Sequence, residues 1–214
     1  FIAKINTSTR SFSRFAISII VTLNSARHGR KMGKRSDFES HKLAFYPTPH
    51  AAVRPLVSFL PDNIKFCEPC AGDGALVKHL EKHGHACTMA YDVEPRADWI
   101  LRNDASFITE AELCGADFII TNPPWERTVL HQIIDRCSRL APTWLLFDAD
   151  WMHTRQATPY LDYCLRIISV GRVKWIEDSA GAGKDNACWY LFHQPKEDPK
   201  VYRMKSAPRF YGRA

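Results

Sequence analysis

The chain has 214 residues, enough for one ordinary domain with tails. At 45% hydrophobic and 24% charged it is neither disordered nor collagen-like, and its longest apolar-flavoured run, Phe15 to Leu23, falls far short of the roughly 20 residues a bilayer core demands. The net charge of +6 is unevenly placed: residues 1–36 hold eight Lys or Arg and no acid, residues 195–214 hold six against two acids, and the body between is acidic. Only the ends are basic, so bulk charge is a poor argument for a polyanionic partner.

These shifts divide the chain into a basic extension (1–36), a body (37–194) and a basic, aromatic tail (195–214). Met32-Gly33-Lys34-Arg35 reads as a natural start, which makes 1–31 an upstream extension; its Arg- and Ser-rich, acid-free stretch also has transit-peptide character. From Leu43 short apolar strands alternate with amphipathic helices. Thr48-Pro49 predicts a helix start with a capping hydroxyl, followed by a buried stripe of Val53, Leu56, Val57 and Leu60. A strand is predicted over 64–67, a helix from Ala75 to near Gly84, a strand over 86–91 and a helix opened by Pro95. Strand 117–121, a helix up to Pro142, strand 144–147 and a helix over 157–166 follow. The strand-like runs 167–176 and 187–192, joined by a polar, glycine-containing tip, predict a closing hairpin.

Strand–helix alternation predicts a mostly parallel sheet with helices on both faces, and the C-terminal hairpin is expected to give that sheet an antiparallel edge. Ligands of such sheets sit beyond the carboxyl ends of the strands, so the loops there are the candidates. Glu68-Pro69-Cys70-Ala71-Gly72-Asp73-Gly74 joins a strand to a helix; its glycines permit positive φ, and Glu68 can accept hydrogen bonds from an amine or hydroxyl. Asp92, ending the second strand, is placed to hold ribose hydroxyls. Asp104, in a polar turn, can accept from an adenine amine. Cys67 and Cys70 have CxxC spacing but no second compact ligand pair, so no metal site is expected. Seven cysteines, odd in number and scattered singly, fit a reducing compartment, which predicts a cytoplasmic protein.

The most specific segment is Asp117-Phe118-Ile119-Ile120-Thr121-Asn122-Pro123-Pro124-Trp125. Two prolines directly after a buried strand cannot continue the sheet and fix an extended turn. Asn122 offers a side-chain carbonyl, Pro123 a backbone carbonyl, and Trp125 a flat apolar face. Together they suit a planar group carrying –NH2.

The order Phe45-Tyr46-Pro47-Thr48-Pro49, Glu68-x-x-x-Gly72-x-Gly74, Asp92, Asp104, Asn122-Pro123-Pro124-Trp125 resembles the S-adenosylmethionine-dependent amino methyltransferases, most closely small phage-type adenine-N6 DNA methyltransferases. The match covers about residues 43–193 and implies a Rossmann-like class I methyltransferase fold with S-adenosylmethionine as cofactor. The resemblance implies that Tyr46 and Thr48 hold its methionine end, and that Glu68 with the Ala71, Gly72, Asp73 and Gly74 backbone lines methionine and ribose. It further assigns Asp92 to the ribose, Asp104 to the adenine amine, and Val93 and Ala105 to the ring. Asn122 and Pro123 would grip the target amine, beside Pro124, and Trp125 would stack on the target base. Trp151, after the strand ending at Asp148, is expected as a second stacking wall, and Lys184 at the hairpin tip as a substrate contact. The implied partner is DNA with an adenine target, with RNA adenine-N6 or protein-glutamine transfer and a non-catalytic binding module as alternatives. A partner subunit for target recognition is also considered, because only about 20 residues follow Phe192.

Overall fold

A computed structural model of the chain describes residues 45–175, 183, 185–194 and 209–211. Eight strands form one sheet: β1 (Lys65–Glu68), β2 (Ala86–Asp92), β3 (Leu101–Arg102), β4 (Phe118–Thr121), β5 (Thr143–Asp148), β6 (Cys164–Arg172), β7 (Asn186–Phe192) and β8 (Arg209–Tyr211). Their order is β3-β2-β1-β4-β5-β7-β6-β8. Strands β1 to β5 run parallel. β7 is antiparallel to both its neighbours, β5 and β6. The chain therefore builds outward from β1 to β3 and returns to β4 beside β1, which opens a crevice over the carboxyl ends of β1 and β4.

The core follows from alternation along the strands. Phe66, Ile120, Trp144, Leu146, Ile168 and Trp189 join one buried cluster, shared with Val53 and Leu56 of α1 (His50–Val57) and Leu76, Val77 and Leu80 of α2 (Ala75–Glu81). Their strand neighbours Cys67, Ile119, Leu145, Phe147, Ile167 and Tyr190 join a second, with Leu130, Ile133, Ile134 and Cys137 of α3 (Arg127–Leu140). Helices thus cover both faces.

The structure departs from the sequence expectations in four places. No helix follows Pro95: none of residues 93–100, before the two-residue β3, is helical. The Glu94 amide is taken by the Asp92 carboxylate and the Arg96 amide by the Gly72 carbonyl, so this backbone is committed outside any helix. The helix expected over 157–166 shrinks to α4 (Thr158–Leu161), because Cys164 already pairs with Phe192 in the sheet. Thr48 does not cap α1, whose N-cap is Pro49; its hydroxyl has another partner, described below. The hairpin is not the sheet edge, since the backbone of β8 pairs parallel with β6 beyond it. No helix among the described residues is long and apolar enough to cross a membrane. The extension 1–36 and most of the tail 195–214 lie outside the described residues.

Candidate active site

β1 ends with Glu68 inside the protein, 1% exposed. Its Oε2 has no hydrogen-bond partner, while the Val77 amide in the first turn of α2 serves the carboxylate. Burial first, and the neighbouring Asp92 carboxylate second, hold the Glu68 carboxyl well above its ordinary value. A buried acceptor with an unused oxygen costs free energy unless something supplies a donor.

The loop after β1 turns on two left-handed residues, Gly72 (φ 56°) and Gly74 (φ 78°). Both are closely covered: a Cβ on Gly72 would collide with the Phe45 ring, and one on Gly74 with the Trp99 ring. The Arg96 guanidinium sits 4.3 Å over Phe45, closing that layer. Asp92 stitches this loop to the end of β2. One carboxylate oxygen accepts from the Gly72 amide and the other from the Glu94 amide, each at 2.8 Å. Asp104 accepts from the Ser106 amide at 2.8 Å in a tight Asx turn. Val93 projects to solvent, whereas Ala105 is buried against α3, so the two do not present one surface.

At the end of β4, Asn122 donates from Nδ2 to the Thr48 hydroxyl at 3.2 Å. This bond unites two of the segments that carry the resemblance, and it leaves the Asn122 carbonyl facing away from Thr48. Pro123 is buried and Pro124 and Trp125 half-buried. Trp125 meets the edge of Trp175, just past β6, with ring centres 5.6 Å apart and planes at 83°. Glu126 then caps α3, accepting from the Thr128 and Val129 amides, and Arg127 pairs with Asp148 at the end of β5 at 2.6 Å. The loop is thereby held at both ends. Tyr46, two residues before Thr48, is 38% exposed.

Thus Glu68 and Asp92, the last residues of β1 and β2, and Tyr46, Thr48, Ala71, Gly72, Asp73, Gly74, Asn122, Pro123, Pro124 and Trp125, on loops, all lie at one end of the parallel strands. Trp151 does not join them. It is fully buried, ringed by Phe147, Tyr190 and Phe192, and its indole N–H donates to His131 Nε2 at 3.0 Å. The expected second wall is a core residue. Lys184 falls outside the described residues. Sequence reasoning overlooked Trp99, hidden inside an apparent helix, and Arg127, whose only signal was a cation directly after the Asn-Pro-Pro-Trp-Glu run.

No protein-family model matches the chain, and no curated protein matches its sequence. Solved structures do. A proposed RNA methyltransferase from Pyrococcus horikoshii aligns at 14% identity and a TM-score of 0.51, covering 70% of this chain and 86% of its own. The fold is the class I methyltransferase fold. A TehB-like SAM-dependent methyltransferase from Corynebacterium glutamicum aligns at 16% identity and a TM-score of 0.40, over 67% of this chain and 87% of that one. A type I restriction-modification methyltransferase subunit from Streptococcus thermophilus aligns at 8% identity and a TM-score of 0.48, over 72% of this chain. This chain spans 46% of that subunit's length. Within the class I methyltransferase fold, the crevice over β1 and β4 is where the gathered residues stand.

Proposed function

We propose that the chain transfers a methyl group from S-adenosylmethionine to the exocyclic N6 amine of adenine in DNA, with the base turned out of the helix onto Asn122-Pro123-Pro124-Trp125. The observation that carries this reading is the bond from Asn122 to Thr48. It ties the Asn122 side chain, on the loop that carries Pro123 and Trp125 at the end of a buried parallel strand, to the segment before α1.

The residues fit the cofactor. Glu68 Oε2 is a buried acceptor lacking a donor, as a ligand hydroxyl or amine would supply. The Asp92 oxygens each hold one amide and keep lone pairs for ribose hydroxyls. Bound there, S-adenosylmethionine would supply an electrophilic methyl group on sulfonium.

The protein's own part is alignment. An adenine amine is a poor nucleophile because its lone pair is delocalised into the ring. Accepting both its N–H protons at Asn122 Oδ1 and the Pro123 carbonyl favours a pyramidal nitrogen with a directed lone pair. Asn122 and Pro123 then act as oriented dipoles and not as bases: the amine nitrogen gains the methyl carbon as that carbon's bond to sulfur breaks, and its surplus proton passes to water afterwards. The acceleration therefore comes from positioning and electrostatics. Turning the base out costs a few kcal/mol. Stacking on Trp125, worth about 1–3 kcal/mol, offsets much of it.

The test is methyl transfer from labelled cofactor to DNA, RNA and protein, with mass spectrometry of the digested product. The expected product is N6-methyladenine in DNA. Asn122→Ala abolishes transfer but keeps the cofactor-induced rise in melting temperature. Label in RNA or glutamine instead would overturn the substrate, and wild-type turnover in Asn122→Ala would overturn the site.

A further inference from the structure

Parallel neighbours need a crossover, and in doubly wound sheets that crossover is usually a helix lying on the face. Between β2 and β3 this chain spends only residues 93–100, none of them helical. The face beside α2 is therefore missing a layer. In its place is a groove of about 500 Å³ lined by Val77, Lys78 and Glu81 of α2, the strand residues Cys87 to Ala90, and Trp99 and Leu101.

The segment around β3 also holds most of the exposed apolar side chains of the described residues, and Trp99 and Leu101 among them line the groove. Of the five large hydrophobic residues exposed among the described residues, four fall between 93 and 107: Val93, Trp99 (48%), Leu101 (49%) and Phe107 (74%). A concentration of that kind on a sheet edge marks a surface that another protein surface covers.

The charges indicate which surface. Lys78 and Arg102 have no carboxylate partner among the described residues, and Glu81 and Asp98 have no cation partner. Lys78 and Glu81 line the groove, and Asp98 and Arg102 adjoin its Trp99 and Leu101 in the chain. Among the described residues the Lys78 and Arg102 side chains donate only to the Asp73 and Val93 carbonyls, and none of the four has an ion-pair partner. A polyanion would call for an excess of cations, and a strongly acidic or basic partner for an excess of one sign. Balanced, unpaired charges suit a surface that meets itself, where a two-fold axis sets Lys78 against the partner's Glu81 and the reverse.

We infer that the β2–β3 edge is a homodimer interface, with a second copy of the chain covering the groove that the short crossover leaves open. The interface lies at the opposite end of the sheet from the β6–β7 hairpin, so Trp125 stays accessible in the dimer. It reaches the crevice through Trp99, which lines the groove and also covers Gly74.

Sedimentation velocity on the full chain, from about 1 to about 100 μM, tests this. The expected species has twice the 24.5 kDa chain mass. Leu101→Glu shifts it to monomer. Lys78→Glu and Glu81→Lys each weaken the dimer about tenfold or more, and the double exchange restores it. Both charge positions are exposed, so these variants decide the question even if Leu101→Glu fails to fold. A wild-type monomer throughout, open-ended association, or a dimer insensitive to the charge exchange would each overturn the inference.

Discussion

Asn122 and Thr48 are 74 residues apart, yet the amide of one donates to the hydroxyl of the other at 3.2 Å. Thr48 is buried, 5% exposed, so water does not readily take the place of its hydroxyl. Thr48→Val keeps the shape and removes the acceptor. Turnover should fall by about tenfold or more, as expected when a buried donor worth 1–3 kcal/mol loses its partner. Thr48→Ser should retain most of the activity. Single-turnover rates for the pair check this; equal rates for Val and Thr would mean that Asn122 is held some other way.

Glu68 makes the site costly to the fold. Its folded pKa is raised, so the stability it contributes is full below its unfolded value, near 4.5, and is lost as pH rises through the folded value. Glu68→Gln removes the titration. The variant should gain about 1–3 kcal/mol over wild type at pH 8 and little at pH 4.5, while its response to cofactor weakens. Urea unfolding at the two pH values reads the difference.

Gly74 combines positive φ with the overlying Trp99 ring. Gly74→Ala should destabilise by about 1–3 kcal/mol, because both strain and collision arise. Adding Trp99→Ala should recover only the collision. A full recovery in the double variant, measured by thermal unfolding, would show that the backbone conformation costs nothing.

His85 is buried, and neither ring nitrogen has a partner. Burial, then the nearby His83, lower its pKa below 6.5. A lowered folded value means that the stability tied to neutral His85 is present above about 6.5 and is lost as pH falls through the folded value. His85→Leu should therefore stabilise the protein more at pH 5.5 than at pH 8. An equal shift at both would assign the gain to packing alone.

The sheet was legible because its signal is local: Phe66/Cys67, Ile119/Ile120 and Trp189/Tyr190 alternate in sequence as they do between the two cores. The loops at its carboxyl end were legible for the same reason, since a strand end is a sequence position. What stayed hidden depends on distant partners. Pro95 reads as a helix start, and only the Asp92 and Gly72 bonds to Glu94 and Arg96 prevent one. Trp151 reads as a free indole after a strand, and its packing is settled by His131 and Tyr190. The meeting of Trp125 with Trp175 spans two segments that share no local pattern.

β7 is the last long strand among the described residues, yet it lies between β5 and β6, hydrogen-bonded on both sides. Its Trp189 indole N–H donates to the Ala52 carbonyl, 137 residues earlier. The first helix and the central sheet thus wait on a strand that the ribosome makes late. Contacts this distant raise the entropic cost of closure and slow folding. During synthesis β5, apolar from Trp144 to Phe147, has an unpaired edge until residues 186–192 arrive, so nascent chains stalled before that point are the ones that holding chaperones should capture.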